Sequence, residues 1–141
     1  MAGFETTYLG ELRTENTHLQ SGNVIHTDAP TDNQGKGQAF SPTDLCALSL
    51  TVCIITTMGI YCQNNGFHLD GARAKTFKHM ANDPRRIARI EIIMDLDLRE
   101  KDNMHAREGV LRIVKSCPVA RSLHPDIEQD VKVEFAEHAP A

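Results

Sequence analysis

Four cysteines are the residues of this chain whose type could carry chemistry, and their positions limit which chemistry is open to them. Cys53 stands in the middle of an uncharged stretch that predicts a helix, and Cys117 closes a second predicted helix. A mid-helix thiol and a helix-end thiol form a working redox couple only if the fold brings them together, because thiol exchange needs direct contact between sulfur atoms. The chemistry of the chain therefore depends on one distance.

The spacing along the first helix excludes a disulfide within it. Cys46 and Cys53 are seven residues apart, so they share a helical face but lie two turns, about 10 Å, from each other. A disulfide requires Cα atoms within about 7 Å. Cys62 is nine residues further along and points roughly the opposite way. Cys53 needs a partner from another element, and Cys117 is the candidate that a different element could bring to it.

Other interpretations of these residues stay open from spacing alone. Free cysteine is among the most buried residue types, so all four thiols could be small hydrophobic residues and nothing more. A zinc site is not favoured, because the sequence has no Cys-x-x-Cys and no His-x(3–5)-His spacing. The seven histidines are scattered, and no nucleophile-elbow motif supports a serine hydrolase. We expect neither a bound metal nor an organic cofactor.

Length and charge place the chain in a broad class. With 141 residues it is the size of one domain, and we predict a single domain over 1–141. The net charge of −4 gives no electrostatic reason to expect nucleic acid or an anionic membrane as partner. The first residues have no basic n-region and no apolar h-region, so we expect no secretory signal, a reducing cytoplasmic location and free thiols.

The amino-terminal third predicts strands followed by a loop. Residues 7–14 and 17–27 are rich in Thr, Val, Ile and Tyr and predict strands joined by tight turns, with Ser21-Gly22-Asn23 as one of the turns. Residues 28–40 contain the Pro, Asp, Asn and Gly residues that favour a loop. The segment predicts an amino-terminal meander.

A long apolar helix follows this loop. Ser41 is its N-cap, Pro42 suits the first helical position, and Asp44 completes a short-armed capping box. Apolar residues cover every face from Leu45 to Tyr61, which predicts burial all round, and Gly66 supplies the left-handed stop. The stretch is long enough to span a membrane, but its Ser, Thr and Gly residues favour a buried helix of a soluble protein. A small domain rarely surrounds such a helix alone, so we expect a second subunit to cover part of it.

The remaining residues predict a hairpin, a helix and a last strand. Residues 69–80 alternate weakly, and a turn follows at 82–84. The next residues alternate between apolar and charged, with Ile90, Ile92, Met94, Leu96 and Leu98 against Arg89, Glu91, Asp95 and Asp97. Residues 106–117 carry apolar side chains on one helical face, with Asp102 or Asn103 as cap, which places Cys117 on the buried face. Pro118 begins a short turn or helix to about Leu123, and 131–135 predict a final strand before a frayed tail at 137–141. The order predicts an α+β fold.

At this point the residues resemble a known family. Ser41-Pro42-Thr43-Asp44-Leu45 with Cys53 eleven residues after the proline, together with Cys117-Pro118-Val119 before a terminal strand, resembles the OsmC/Ohr family of osmotically inducible and organic-hydroperoxide-resistance proteins. The resemblance spans the chain from the first strand to about Phe135. It implies an intertwined homodimer in which two long central helices are wrapped by curved antiparallel sheets.

The resemblance also implies roles for two cysteines. In the peroxidase members of the family, the cysteine that matches Cys53 attacks the peroxide as a thiolate, and the one that matches Cys117 resolves the sulfenic acid to a disulfide. A low-pKa thiolate is the usual nucleophile in such chemistry, and a second thiol nearby prevents irreversible oxidation.

The chain departs from the family pattern around the reactive thiol. Family peroxidases place a glutamate directly after the motif proline, where it positions an arginine against the thiol, but this chain has Thr43 there and Asp44 one step later. Thr43 carries no charge, and Asp44 points about 100° away from that site. Arg13 and Arg121 are candidates for the missing arginine, and neither matches unambiguously.

Three functional hypotheses follow. The first is a homodimeric thiol peroxidase for organic hydroperoxides, with Cys53 and Cys117 as the catalytic residues and a small or protein dithiol as reductant. The second is a non-enzymatic dimer that binds a small apolar ligand, or scavenges electrophiles, in the cleft between subunits. The third is a structural dimer with inert cysteines. The Cys53/Cys117 pairing favours the first hypothesis, and Thr43 favours the second. The role of Cys46 stays open in all three.

Overall fold

Two three-stranded sheets and one long apolar helix form an α+β fold in residues 3–137, the part of the chain that the computed structural model describes. The predicted fold class is therefore confirmed. The described chain divides into two compact units, of which the first ends at Cys46 and the second starts at Ala47. The elements are β1 Phe4–Gly10, β2 Arg13–His18, β3 Val24–Asp28, α1 Pro42–Asn65, β4 Leu69–Ala81, β5 Arg86–Leu98, α2 Met104–Ser116, α3 Pro118–Ser122 and β6 Glu128–Phe135, with a 3-10 turn at Thr31–Asn33.

The first unit is an antiparallel meander in the order β1-β2-β3. The predicted strand over 7–14 is wrong as one element, because Gly10, Glu11 and Leu12 all have positive φ and turn the chain between β1 and β2. Such backbone angles are incompatible with a continuous strand. The predicted turn at Ser21-Gly22-Asn23 is confirmed, with Gly22 at φ 76°. The loop predicted over 28–40 holds only the short 3-10 turn and one bridge between Thr27 and Phe40.

The sheet of the first unit exposes its apolar side chains to solvent. Phe4 is 78% exposed, Tyr8 64% and Ile25 48%. The buried residues described in this unit are polar: Thr27, Asp28 and Ser41. Two- and three-stranded sheets need a packed apolar face for stability. This sheet therefore has an apolar surface that a single chain leaves uncovered.

The start and stop of α1 are those that the sequence predicts. The Ser41 Oγ accepts the backbone N–H of Asp44 at 3.0 Å, and the Asp44 carboxylate accepts the backbone N–H of Ser41 at 2.9 Å. This reciprocal pair is a capping box with the shorter acid in the third position. At the other end Gly66 has φ 71° directly after the last helical residue, so the glycine stop is confirmed as well.

Only one side of α1 is buried within the chain. Leu50, Ile54, Met58 and Cys62 are at most 2% exposed. Apolar side chains elsewhere on the helix, such as Val52 and Ile60, are each 52% exposed. One chain supplies packing partners for a single face of the helix, and burial of the other faces by a second subunit stays a prediction.

By length and composition alone, α1 could also cross a membrane. Its buried side chains nevertheless belong to the core of the second unit, which is the packing of a core helix.

The second unit builds the core against a hairpin and α2. The strands β4 and β5 pair antiparallel over their length, and β6 joins β5 in parallel. The alternation predicted along this strand is confirmed, since one face is at most 1% exposed, whereas Ile93 on the other face is 41% exposed; the buried face consists of Ile90, Ile92, Met94, Leu96 and Leu98. Helix α2 is capped by Asn103, whose side chain accepts the backbone N–H groups of His105 and Ala106. Buried residues of α1, β5 and α2, with the cap residue after α2, form one core cluster: Ala47, Leu50, Ile54, Met58, Cys62, Ile90, Ile92, Met94, Leu96, Leu98, Ala106, Val110, Ile113 and Cys117.

A glycine allows the close approach of α2 to α1. A Cβ built on Gly109 would overlap both the hydroxyl oxygen and the ring of Tyr61. The same hydroxyl donates a hydrogen bond to the carbonyl of His105 at 3.0 Å. Any side chain at position 109 would therefore push Tyr61 away and break this link between the helices.

We predict that Gly109→Ala destabilises the protein by about 1–3 kcal/mol through overpacking, although alanine is the better helix former. Urea unfolding measures the loss. The cost depends on the tyrosine ring, so Gly109→Ala introduced into a Tyr61→Ala background is expected to cost much less. Equal costs in both backgrounds would show that the Tyr61 contact is not the cause.

The predicted frayed tail at 137–141 lies, beyond Glu137, outside the described residues.

Candidate active site

The break between α2 and α3 sets the position of Cys117. Pro118 starts α3, and the residue before a proline is held in extended backbone, which Cys117 adopts at φ −64° and ψ 152°. Cys117 is therefore both the C-cap of α2 and the N-cap of α3. Its side chain is fully buried, and its Sγ accepts the backbone N–H of Ala120 at 3.4 Å.

Cys53 reaches the same place from the middle of α1. It is half-buried and packs against the core cluster to which Cys117 belongs. The two thiols are hydrogen-bonded to each other and are both free. The structure therefore brings the two cysteines that the sequence analysis paired within reach of a hydrogen bond, with no disulfide between them.

Thr57 is a third member of the site, and the sequence analysis missed it. Its hydroxyl lies 3.9 Å from the Cys53 Sγ, one helical turn further along α1. Helical side chains four residues apart are neighbours on one face, so the spacing Cys53-x-x-x-Thr57 was the signal available in the sequence. Within residues 3–137 the hydrogen-bond partners of Cys53 are Thr57 and Cys117, and both are uncharged.

The environment of Cys117 favours its protonated form. Burial raises the pKa of the Cys117 thiol most strongly, while the Ala120 N–H lowers it. The hydrogen bond with Cys53 raises the pKa further. Since burial penalises the charged form, Cys117 stays a thiol at neutral pH and reacts only through a partner already in contact with it.

The other two cysteines are placed elsewhere. Cys62 is 2% exposed in the core, and burial, with the Glu100 carboxylate second, raises the pKa of its thiol. Its predicted orientation away from Cys53 is consistent with this separate environment. Cys46 is half-buried and belongs to the first unit.

The residues that the sequence analysis considered around the reactive thiol have other hydrogen-bond partners. Thr43 Oγ1 hydrogen-bonds the Ser41 hydroxyl at 3.2 Å, and Asp44 caps α1. Arg13 hydrogen-bonds Gln38 and lies 3.8 Å from the buried Asp28 carboxylate, all within the first unit. Arg121 donates to the Ser116 carbonyl at 3.1 Å, at the end of α2.

Two further features bear on function. Among the described residues, no group of three or more His, Cys, Asp or Glu side chains is placed to hold a metal ion. An open cleft of about 670 Å³ lies on the sheet of the first unit and is lined mainly by apolar atoms, with Phe4, His18 and Ile25 among its walls.

The family model of OsmC-like proteins matches residues 35–132, which include α1, both cysteines of the site and most of the second unit. The chain belongs to the OsmC-like protein family. The family predicted from the sequence is thereby confirmed. No curated protein matches the chain.

Solved structures agree with this assignment. A Psychrobacter arcticus 273-4 protein named for osmotic stress induction and a detoxification response is 43% identical, with a TM-score of 0.86 over 95% of this chain and 96% of that one. An OsmC-like protein from Mycoplasma pneumoniae is 12% identical, with a TM-score of 0.77 over 97% and 98% of the two chains. An organic hydroperoxide resistance protein OsmC from Legionella pneumophila is also 12% identical, with a TM-score of 0.69 over 95% and 96%. At these low identities the last two show the shared OsmC-like fold.

We predict that iodoacetamide at pH 7 labels Cys53 well before Cys117 and Cys62. Both of the slower thiols are buried, and their raised pKa keeps them protonated, whereas alkylation needs the thiolate. As the pH rises toward the raised pKa values, labelling of Cys117 and Cys62 is expected to accelerate. Mass spectrometry of tryptic peptides at timed intervals measures the order. Labelling of Cys117 ahead of Cys53 at pH 7 would contradict this account of the site.

Proposed function

We propose that this OsmC-like protein reduces organic hydroperoxides, with Cys53 as the nucleophile and Cys117 as the resolving thiol. The observation that carries the proposal is the hydrogen bond between two free thiols, one in α1 and the other at the end of α2. Buried cysteines that serve only as small hydrophobic residues need no second sulfur beside them. The family membership supports the same chemistry.

The exposure of the two thiols supports the roles proposed for them, Cys53 as nucleophile and Cys117 as resolving thiol. Cys53 is half-buried and reachable, whereas Cys117 is fully buried. A peroxide that enters the site meets Cys53 first. Burial raises the pKa of Cys117, so this cysteine waits as a thiol until an oxidised sulfur forms next to it.

The reaction then proceeds in two balanced steps. The Cys53 thiol first releases its proton to water, and the thiolate attacks the terminal oxygen of the hydroperoxide. The O–O bond breaks, the terminal oxygen stays on sulfur with its own proton as a sulfenic acid, and the alkoxide leaves as the alcohol by taking back one proton from water. The Cys117 sulfur attacks the Cys53 sulfur, the S–O bond breaks, and the oxygen leaves as water with the thiol proton. A small or protein dithiol restores both thiols by exchange.

Organic hydroperoxides are the proposed substrates because the helix around Cys53 is apolar. Leu48, Val52 and Ile55 flank Cys53 in the sequence of α1, and Val52 is 52% exposed. Apolar side chains at the entrance favour an oxidant with a hydrocarbon tail over hydrogen peroxide. Equal rates with both oxidants would count against this choice of substrate.

One equivalent of cumene hydroperoxide added to the reduced protein tests the proposal. We expect the count of free thiols to fall from four to two within seconds, with a Cys53–Cys117 disulfide in the peptide map. Cys53→Ser is expected to abolish the reaction. Cys117→Ser is expected to leave a sulfenic acid that dimedone traps. Cys62→Ala is the matched control, because it removes a buried thiol outside the site. Four unreacted thiols in the wild type would refute the peroxidase proposal.

We further propose that the working form is the intertwined homodimer of the family, with two α1 helices at its centre. Apolar surfaces left open by the single chain support it: one lies on the sheet of the first unit, and the other on α1, where Val52 and Ile60 are exposed. Exposed apolar area of this kind marks an interface. A second copy of the chain, rather than lipid, is the proposed cover of α1.

We predict a particle of twice the 15.7 kDa chain mass in sedimentation equilibrium. Val52→Asp is expected to shift this equilibrium toward the single chain, because a carboxylate would be buried unpaired at the interface. On a truly exposed surface the same change would alter stability by only about 0.5 kcal/mol. A wild type that sediments as one chain would contradict the dimer.

The second candidate function, binding of a small apolar ligand without catalysis, is favoured by one observation. The cleft on the first unit is large enough for a small organic molecule and has mainly apolar walls. An apolar ligand that binds equally well to the wild type and to Cys53→Ser, together with inert thiols, would support this function over the peroxidase.

A further inference from the structure

The distance between the Thr57 hydroxyl and the Cys53 sulfur is longer than that of an ordinary hydrogen bond. The Thr57 Oγ1 lies 3.9 Å from the Cys53 Sγ, at the far limit of a hydrogen bond to sulfur. A hydroxyl bonded to an oxygen lies at about 2.7–2.8 Å. The gap is therefore too wide for a strong bond to the thiol, but it has room for one oxygen atom attached to that sulfur.

The helix holds the hydroxyl at this place. Side chains of an α-helix lean toward its N-terminus, so Thr57 leans over the turn that carries Cys53. Threonine has a stiff χ1 because it is branched at Cβ. A flexible side chain at the same position would lose more conformational entropy each time it was held against the sulfur.

The surroundings offer no charged group for the same task. Within the described residues, the hydrogen-bond partners of Cys53 are Thr57 and Cys117. Thr57 is thus the hydroxyl donor beside the sulfur that would be oxidised, and Cys117 is the thiol that attacks it. The two neighbours of Cys53 supply one reactant and one hydrogen-bond donor.

We propose that Thr57 is a catalytic residue of the resolving step, in which its hydroxyl donates a hydrogen bond to the oxygen of the Cys53 sulfenic acid. This inference rests on the proposed peroxidase function and extends it to a residue outside the cysteine pair.

The hydroxyl acts on the oxygen that must depart. While the Cys117 sulfur forms a bond to the Cys53 sulfur, the S–O bond breaks, and negative charge develops on the leaving oxygen before it becomes water. A fixed donor aimed at a place where charge develops lowers the barrier of that step. It also holds the oxygen to one side, which leaves the sulfur open to Cys117.

The first step does not need this hydroxyl in the same way. The oxygen that Cys53 takes from the hydroperoxide arrives as the sulfenic oxygen, so Thr57 meets it only once the S–O bond is forming. Loss of the hydroxyl is therefore expected to affect disulfide formation more than the initial oxidation. A residue with a merely structural role would slow both steps or neither.

A single-turnover experiment separates the two steps. Reduced wild type and Thr57→Val receive one equivalent of cumene hydroperoxide, and samples are quenched with dimedone and with acid at timed intervals for mass spectrometry. Valine matches threonine in shape and lacks the hydroxyl. We expect sulfenic acid to form at the wild-type rate, and the disulfide to form about three- to tenfold more slowly, the effect of one uncharged hydrogen bond.

Three further variants complete the test. Thr57→Ser keeps the hydroxyl and is expected to restore disulfide formation. Thr57→Ala is expected to behave like the valine variant, which guards against a packing effect of the valine itself. Thr31→Val is the matched control, since it removes the hydroxyl of an exposed threonine in the 3-10 turn, away from α1 and both cysteines. With excess hydroperoxide, the valine variant is also expected to accumulate more Cys53 sulfinic acid, because its sulfenic acid waits longer.

The outcomes distinguish this inference from the function on which it rests. Disulfide formation at the wild-type rate in both Thr57→Val and Thr57→Ala would overturn the role of Thr57 while leaving the peroxidase intact. Slow disulfide formation in Thr57→Ser as well would also overturn it, because the hydroxyl would then be irrelevant. A wild type that forms neither sulfenic acid nor disulfide would refute the peroxidase function itself, and the role of Thr57 with it.

Discussion

The packing of one face of α1 against β5 and α2 is the constraint on which the site depends. Leu50, Ile54 and Met58 are fully buried in the same cluster as the inward residues of β5 and α2. Protein cores are close-packed, so this contact fixes the height and rotation of α1 relative to α2. Cys53 follows on the edge of the buried face, and Cys117 follows at the end of α2. Cys53 and Cys117, which are 64 residues apart in sequence, lie within hydrogen-bond reach because α1 and α2 pack in one core.

The side chains that hydrogen-bond Cys53 are uncharged. The sulfur of Cys53 faces a hydroxyl and a thiol, and burial raises the pKa of the thiol that would resolve it. Hydrogen bonds from neutral donors are weaker than those from charged groups. Arg13 is held by Asp28 and Gln38 within the first unit, and Arg121 binds the end of α2. The chain thus places the proposed cysteine pair in an uncharged setting, and the proposed reactivity depends on placement more than on electrostatics.

The exposed apolar surfaces reveal what one chain lacks. The same helix that supplies the core also carries Val52 and Ile60 into solvent, and the sheet of the first unit buries none of its large apolar side chains. Burial of such side chains contributes about 1.5–3 kcal/mol each when they leave water. The apolar residues that one chain leaves exposed on α1 are therefore an argument for the proposed dimer, in which a second copy would bury them.

Local patterns in the sequence determined the elements and much of the site. The capping box at Ser41 and Asp44, the glycine stop, the alternation along β5 and the apolar face that ends at Cys117 all depend on neighbours a few residues away, so they are visible without the fold. The resemblance to the family depended on the joint spacing of two cysteine motifs. The sequence analysis missed the turn at Gly10–Leu12, because Glu11 and Leu12 have left-handed backbone angles but are not residue types that mark a turn. Only the tertiary structure decided that Cys53 and Cys117 lie within hydrogen-bond reach, that the Thr57 hydroxyl lies 3.9 Å from the Cys53 sulfur, and that α1 has one buried face and one exposed face. Those facts depend on long-range packing, and packing is a property of all the elements together.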